Sequence, residues 1–182
     1  MDVQETSLAG VLLFLPKPHV DERGLFTRTF DVSVAQSAGI DSGNFIQDSQ
    51  SRTKSGVLRG LHGRSGSGEA KLVRCARGAI YDVVVDARPG SSTCGRHEAF
   101  LLDDLTFRSL YVPPGFLHGF LALTEADVCY RIDAAHDPDA DIALRYDDPD
   151  LGIRWPRKPL SLSPRDARAG SWRNLMGRDA AP

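Results

Sequence analysis

The chain has 182 residues, 41% of them hydrophobic, and a mass of 19.8 kDa, enough for one substantial core and short for two. A single domain over 1–182 is expected, with its core at about 8–168 and a C-terminal tail at 169–182. A formal net charge of -2 and a pI near 6.2 exclude a global attraction for nucleic acid or an anionic membrane surface, so any anion must be held by a local basic cluster.

The apolar run Val11–Leu15 is stopped by Pro16 and Pro18 and is too short for a signal sequence or a membrane span, so a soluble, unprocessed protein is expected. Cys75, Cys94 and Cys129 are isolated and lack CxxC spacing, which argues against a disulfide framework or structural zinc and for a reducing cytoplasm. Gly10–Leu15 reads as a strand with an extended exit through Val20. A turn at Asp21–Gly24 follows, and Leu25–Phe30 alternates apolar and polar residues as a half-buried strand does. Val32–Ala38 fits a short helix, and Asn44–Ser51 a strand with Gln47, Ser49 and Ser51 on one face.

Val57–Leu61 and Leu72–Val73 read as neighbouring strands joined by the glycine-rich loop 63–68, an arrangement that brings Arg59, His62 and Lys71 together. Strand patterns then crowd together at Lys71–Ala76, Ala79–Ala87, Glu98–Leu102, Ser109–Val112, Phe116–Leu123 and Val128–Asp133, with turns between them. Helices long enough for parallel crossovers are missing, so the expected class is all-β, an antiparallel sandwich or barrel. After Asp147 the chain is irregular and proline-rich, and Ser163 is placed to cap a short helix to Arg168.

A small barrel with a polar lumen commonly holds a metal through closely spaced imidazoles. None of the five histidines here lies within four residues of another, so no metal or other cofactor is expected. His19 and His97 sit in polar, turn-like contexts that fit the surface, and His136 lies in a loop. His118 follows the rigid turn Pro113-Pro114-Gly115 and opens a very apolar strand. It reads equally well as a ligand contact or as a buried histidine satisfied by a backbone carbonyl. Tyr130 taken alone reads as a core tyrosine.

The motifs Asp21-x-Arg23-Gly24-x-Phe26, Gln47-x-x-x-Ser51, Gly56-Val57-Leu58-Arg59-Gly60-Leu61-His62, Lys71-Leu72-Val73 and Gly78-x-Ile80-x-Asp82-Val83 occur in this order. They continue with Pro113-x-Gly115-x-x-His118-Gly119-Phe120, Asp148-Pro149, Trp155-Pro156 and Leu162-Ser163-x-x-Asp166. Together they resemble the dTDP-4-dehydrorhamnose 3,5-epimerases and related sugar-nucleotide 3- or 5-epimerases. The resemblance implies a cupin-type jelly roll, a β-barrel or sandwich with short peripheral helices, usually a homodimer and without the metal of other cupins. It implies a substrate in which a nucleoside diphosphate carries a 4-keto-6-deoxyhexose.

In that chemistry the protons on C3 and C5 are both α to the C4 ketone, so a base, an oxyanion partner and an acid across the ring suffice for inversion. Carried over by motif, His62 is the base, Asp166 its orienting carboxylate, Lys71 the partner of the O4 oxyanion and Tyr130 the acid. Asp82 would support Lys71, Arg59 and His118 would lie near the diphosphate or sugar, and Arg23, Phe26 and Gln47 near the nucleotide. The chain departs from the family pattern in having Arg28 for a glutamate, Ser49 for an asparagine and Gly63-Arg64 for an aromatic residue and glutamine. The acidic residue near the pocket rim is Asp141, with Ala143-Leu144 after it for a Gly-Ile pair. These are nucleotide-side or pocket-rim positions, so the preferred base and the carbon inverted stay open. A single-centre epimerase, a 3,4-ketoisomerase and a non-catalytic sugar-nucleotide-binding cupin are the rival readings.

Overall fold

A computed structural model describes residues 1–177. Alternating side chains let each strand bury one face, and two antiparallel sheets stack those faces together. The first sheet has the order β1 (Asp2–Glu5), β2 (Leu12–Leu15), β10 (Ser109–Val112), β7 (Lys71–Arg77), β12 (Ala126–Ile132), β5 (Gln47–Thr53). The second has β13 (Asp141–Ala143), β6 (Leu58–Arg64), β11 (Phe116–Ala122), β8 (Ala79–Asp86), β9 (His97–Asp103). This is the jelly-roll sandwich expected of an all-β, cupin-type chain.

Val73, Cys75, Leu110 and Val128 of the first sheet meet Ile80, Val84, Phe116 and Phe120 of the second in the main core. Toward one end the same inward rows turn polar, with Gln47, Ser49 and Ser51 on β5, Lys71 on β7, Asp82 on β8, His118 on β11 and Tyr130 on β12. That end is the mouth of a pocket. The outer face of the second sheet is covered by the irregular C-terminal chain through Leu151, Trp155 and Trp172. Trp172, in α3 (Trp172–Leu175), is 5% exposed and its amide donates to Asp148. Packed structure therefore runs beyond the expected boundary at 168; the last residues of the expected tail, 178–182, lie outside the described ones.

Two expectations are corrected. Val57–Leu61 and Leu72–Val73 are not neighbours in one sheet: β6 and β7 belong to opposite sheets, so Arg59 and His62 face Lys71 across the sandwich. The alternation after Leu25 does not make a half-buried strand to Phe30. Here β3 (His19–Asp21) and β4 (Gly24–Phe26) form a separate two-stranded ribbon, every residue of which is exposed. The short helix is α1 (Val32–Ser37), capped by Asp31, whose carboxylate accepts from the Ser33 and Val34 amides. Among the described residues no helix is long and apolar enough to cross a membrane.

Candidate active site

The pocket encloses about 650 Å³ between the two sheets. Strand β6 contributes both Arg59 and His62, although residues three apart on a regular strand point to opposite faces. A bulge resolves this. Across the ladder His118 pairs with His62 and Phe120 with Arg59, so three steps on β6 oppose two on β11, and both polar side chains turn inward. Gly60 makes it possible: its φ is +131°, and a Cβ there would stand 2.5 Å from the Gly119 Cα.

Asp166 reaches His62 from α2 (Pro164–Ala167), whose first turn is fixed by Ser163 accepting from the Asp166 amide. His62 Nε2 and Asp166 Oδ1 are 2.6 Å apart, with Asp166 buried and His62 a third open to the pocket. Burial pushes the Asp166 carboxyl up, but the His62 imidazole, Ser163 and the Gly60 amide outweigh it and hold the carboxyl below its ordinary value. An ionised Asp166 beside His62 can orient the ring and stabilise an imidazolium.

Opposite, on the other sheet, stands Tyr130. Burial pushes its phenol up, against a hydrogen bond with Ser51 at 3.4 Å and the charge of Arg59, so the group stays a neutral proton donor well beyond neutral pH. His118 stands edge-on to it, with ring centroids 6.4 Å apart. His118 is satisfied by a carboxylate, not a backbone carbonyl: Asp82 Oδ2 lies 2.8 Å from its Nε2. This also corrects the expected partnership of Asp82 with Lys71. Asp82 is fully buried and its carboxyl is raised by that burial, with the charges of His118 and Lys71 pulling the other way. Lys71 instead pairs with Glu69 at 2.8 Å.

Arg59 donates through Nε to Thr53 at 2.9 Å, a neutral partner that leaves its charge available to an anion. Gln47 lines the pocket and donates to Ser49, the next residue on that face of β5. Asp141 lies at the rim, bridged by Arg165 at 2.9 Å. Arg23, Phe26 and Arg28 are not brought to this pocket. Arg23 folds back on Asp21, Phe26 is 69% exposed on the ribbon, and Arg28 pairs with Asp31 at 2.7 Å beside α1. Among the described residues no three histidine, cysteine, aspartate or glutamate side chains are grouped as a metal would need.

Glu69 and Arg165 line the pocket without having been singled out from the sequence, and His136 lines it from the loop in which the sequence placed it. Glu69 could have been found from its spacing, since it stands two residues before Lys71 and so shares its side of the chain. Nothing in the polar stretch around His136 marks it.

The chain matches the family model described as dTDP-4-dehydrorhamnose 3,5-epimerase over residues 5–174. It is 42% identical to the dTDP-4-dehydrorhamnose 3,5-epimerase of Mycolicibacterium smegmatis, in an alignment covering 100% of this chain and 91% of that one. Its fold superimposes on the rmlC epimerase of Mycobacterium tuberculosis with a TM-score of 0.92 at 39% identity, covering 100% of this chain and 94% of that one. ChmJ, a 3'-monoepimerase from Streptomyces bikiniensis solved with dTDP-quinovose, matches with a TM-score of 0.86 at 35% identity, covering 94% of this chain and 89% of that one.

Proposed function

This chain belongs to the dTDP-4-dehydrorhamnose 3,5-epimerase family, and from that premise we propose that it is an isomerase that inverts C3, C5 or both in a nucleoside-diphosphate 4-keto-6-deoxyhexose. The observation that carries the reading is the His62–Asp166 pair at 2.6 Å on one sheet, facing Tyr130 on the other across one pocket. A ring held between the sheets meets a base on one face and an acid on the other.

In this mechanism His62 removes the proton α to the ketone. Its Nε2 is engaged by Asp166, so Nδ1 is the nitrogen that takes the proton, and the carboxylate stabilises the imidazolium formed. Negative charge moves to O4, where the Lys71 ammonium meets it, with His118 beside it in the pocket. Tyr130 returns a proton to the opposite face, and the centre is inverted. Arg59, with its neutral partners, takes the diphosphate, while Gln47, Ser49 and the rim around Asp141 face the nucleotide.

The same reading includes a homodimer and a cytoplasmic setting. Val20, Leu25 and Phe26 expose 78%, 53% and 69% of their surface on the β3–β4 ribbon, an apolar strip that a second copy would cover. Arg23, Phe26 and Arg28 would then serve the nucleotide side of that copy's pocket.

A single-centre epimerase is the second reading, favoured by the match to a 3'-monoepimerase over nearly the whole chain. Proton NMR of dTDP-4-dehydro-6-deoxyglucose with the enzyme in deuterium oxide decides between them. Deuterium entering C3 and C5 supports the 3,5-epimerase, entry at one carbon supports the single-centre enzyme, and entry at neither refutes both.

A further inference from the structure

Among the charged groups in the pocket wall, Glu69 stands out because the mechanism above gives it no task. Its side chain is 8% exposed, and an ionised carboxylate removed from water persists only beside compensating charge. It has two cations. Lys71 Nζ lies 2.8 Å from Oε1, and Arg64 Nη2 lies 3.0 Å from Oε2, with side chains 13% and 9% exposed. The Arg64 contact is one of charge and not an aligned hydrogen bond, since Oε2 accepts none among the described residues.

Arg64 is itself anchored. Its Nη1 donates to the Ala135 carbonyl, Asp141 lies 3.9 Å from its Nη2, and Asp141 is bridged in turn by Arg165, the residue before Asp166. A run of alternating charge thus goes from Lys71 through Glu69, Arg64 and Asp141 to Arg165. Arg64 also stands where the family pattern has a glutamine, so the cation is a property of this chain.

We infer that Glu69 is a positioning residue, one that fixes the Lys71 ammonium in the pocket while Arg64 holds the carboxylate from behind. The inference rests on the epimerase reading. A lysine has a four-carbon stem with many rotamers and a compact charge, so an oxyanion partner of this type acts well only if its head is held in place. Asp82, the other carboxylate that feels Lys71, is committed to His118 at 2.8 Å. Glu69 is not itself a proton acceptor for substrate, because both oxygens face cations. Sharing the carboxylate between two cations leaves part of the Lys71 charge free for the developing enolate.

The test compares wild type with Glu69→Gln, Glu69→Asp, Arg64→Gln and the double variant Arg64→Gln/Glu69→Gln, using dTDP-4-dehydro-6-deoxyglucose as substrate. Displacing a catalytic group by about 1 Å costs on the order of 100-fold, so Glu69→Gln should lower kcat and deuterium wash-in by roughly 10- to 100-fold. Calorimetric affinity for dTDP, which lacks the reacting sugar, should stay near wild type. Glu69→Asp should recover part of the loss. The double variant should exceed Glu69→Gln, because it leaves no buried guanidinium facing an amide. Wash-in at the wild-type rate in Glu69→Gln, or a loss expressed in dTDP affinity with kcat unchanged, would overturn the inference.

A second readout needs no turnover: acetic anhydride labelling of Lys71, followed by mass spectrometry, should rise several-fold in Glu69→Gln. Unchanged labelling there would also overturn the inference. Absence of wash-in with wild type would instead refute the epimerase reading, while the labelling still decides whether Glu69 holds Lys71.

Discussion

Proton abstraction at His62 depends on the carboxylate behind it, since a lone imidazole is neither oriented nor compensated when it takes a proton. His62→Asn should abolish deuterium wash-in at every carbon, a loss within the roughly 10²- to 10⁴-fold that general-base assistance supplies. Asp166→Asn keeps the imidazole and should cost less. Wash-in near the wild-type rate in His62→Asn would refute the base assignment. Tyr130→Phe separates the two halves of the reaction, because removal of the proton uses His62 and only its return uses the phenol. Wash-in at C5 should outlast net inversion in that variant; NMR rates of exchange and of product formation, measured on one sample, check it. Equal loss of both would make Tyr130 a packing or binding residue.

Among the elements, β6 has the most demanding geometry, since its bulge turns Arg59 and His62 to one side. A Cβ at Gly60 would meet the Gly119 Cα at 2.5 Å in a backbone conformation that side chains rarely adopt. Gly60→Ala is expected to destabilise the fold by roughly 1–3 kcal/mol and to move His62 away from Asp166, seen as a lower urea midpoint together with a larger loss of kcat than of dTDP binding. The same bulge shows where sequence reading succeeds and fails. Apolar strand patterns, punctuated by turns, located β7, β8, β10, β11 and β12 to within about two residues, even though β11 is buried along its whole length and not on one face alone. Parity alone, however, puts Arg59 and His62 on opposite faces; reading the two strands as a hairpin brought them together, but nothing in the pattern of residues marked the bulge that turns both inward. Sheet membership was lost for a related reason: a loop of glycines carries no information on whether the chain returns beside itself or crosses to the facing sheet. The Asp82–His118 pair was missed because it depends on the register of β8 against β11, a diagonal relation that no single strand encodes.

For the molecule as a whole, acid sensitivity should come in part from Asp86, buried at the end of β8. Burial alone would push its carboxyl up, yet Arg88, Ser91 and Thr93 hold it well below its ordinary 3.8. A carboxyl lowered in the folded state adds stability that is complete above that ordinary value and is lost as pH falls through the folded one. Asp86→Asn should therefore lower the melting temperature at pH 7 by the equivalent of about 3 kcal/mol and flatten the fall in stability below pH 4, as read by thermal denaturation across that range. A parallel loss at every pH would exclude the charge and leave only packing.

The base and the acid are built on different sheets, His62 on one and Tyr130 on the other, with the pocket between them and the main core beside it. The gap the sugar ring occupies is thus a thickness, set by how Phe120, Val73 and Val128 stack, and not by any hinge or loop. Closely packed interiors compress little, so this thickness behaves as a fixed gauge. Trimming a spacer that does not line the pocket, as in Val73→Ala, would let the sheets settle together without touching a reacting group. The variant should bind dTDP as before yet mis-space abstraction and return, so that exchange and inversion drift apart with no change in the chemistry of either residue.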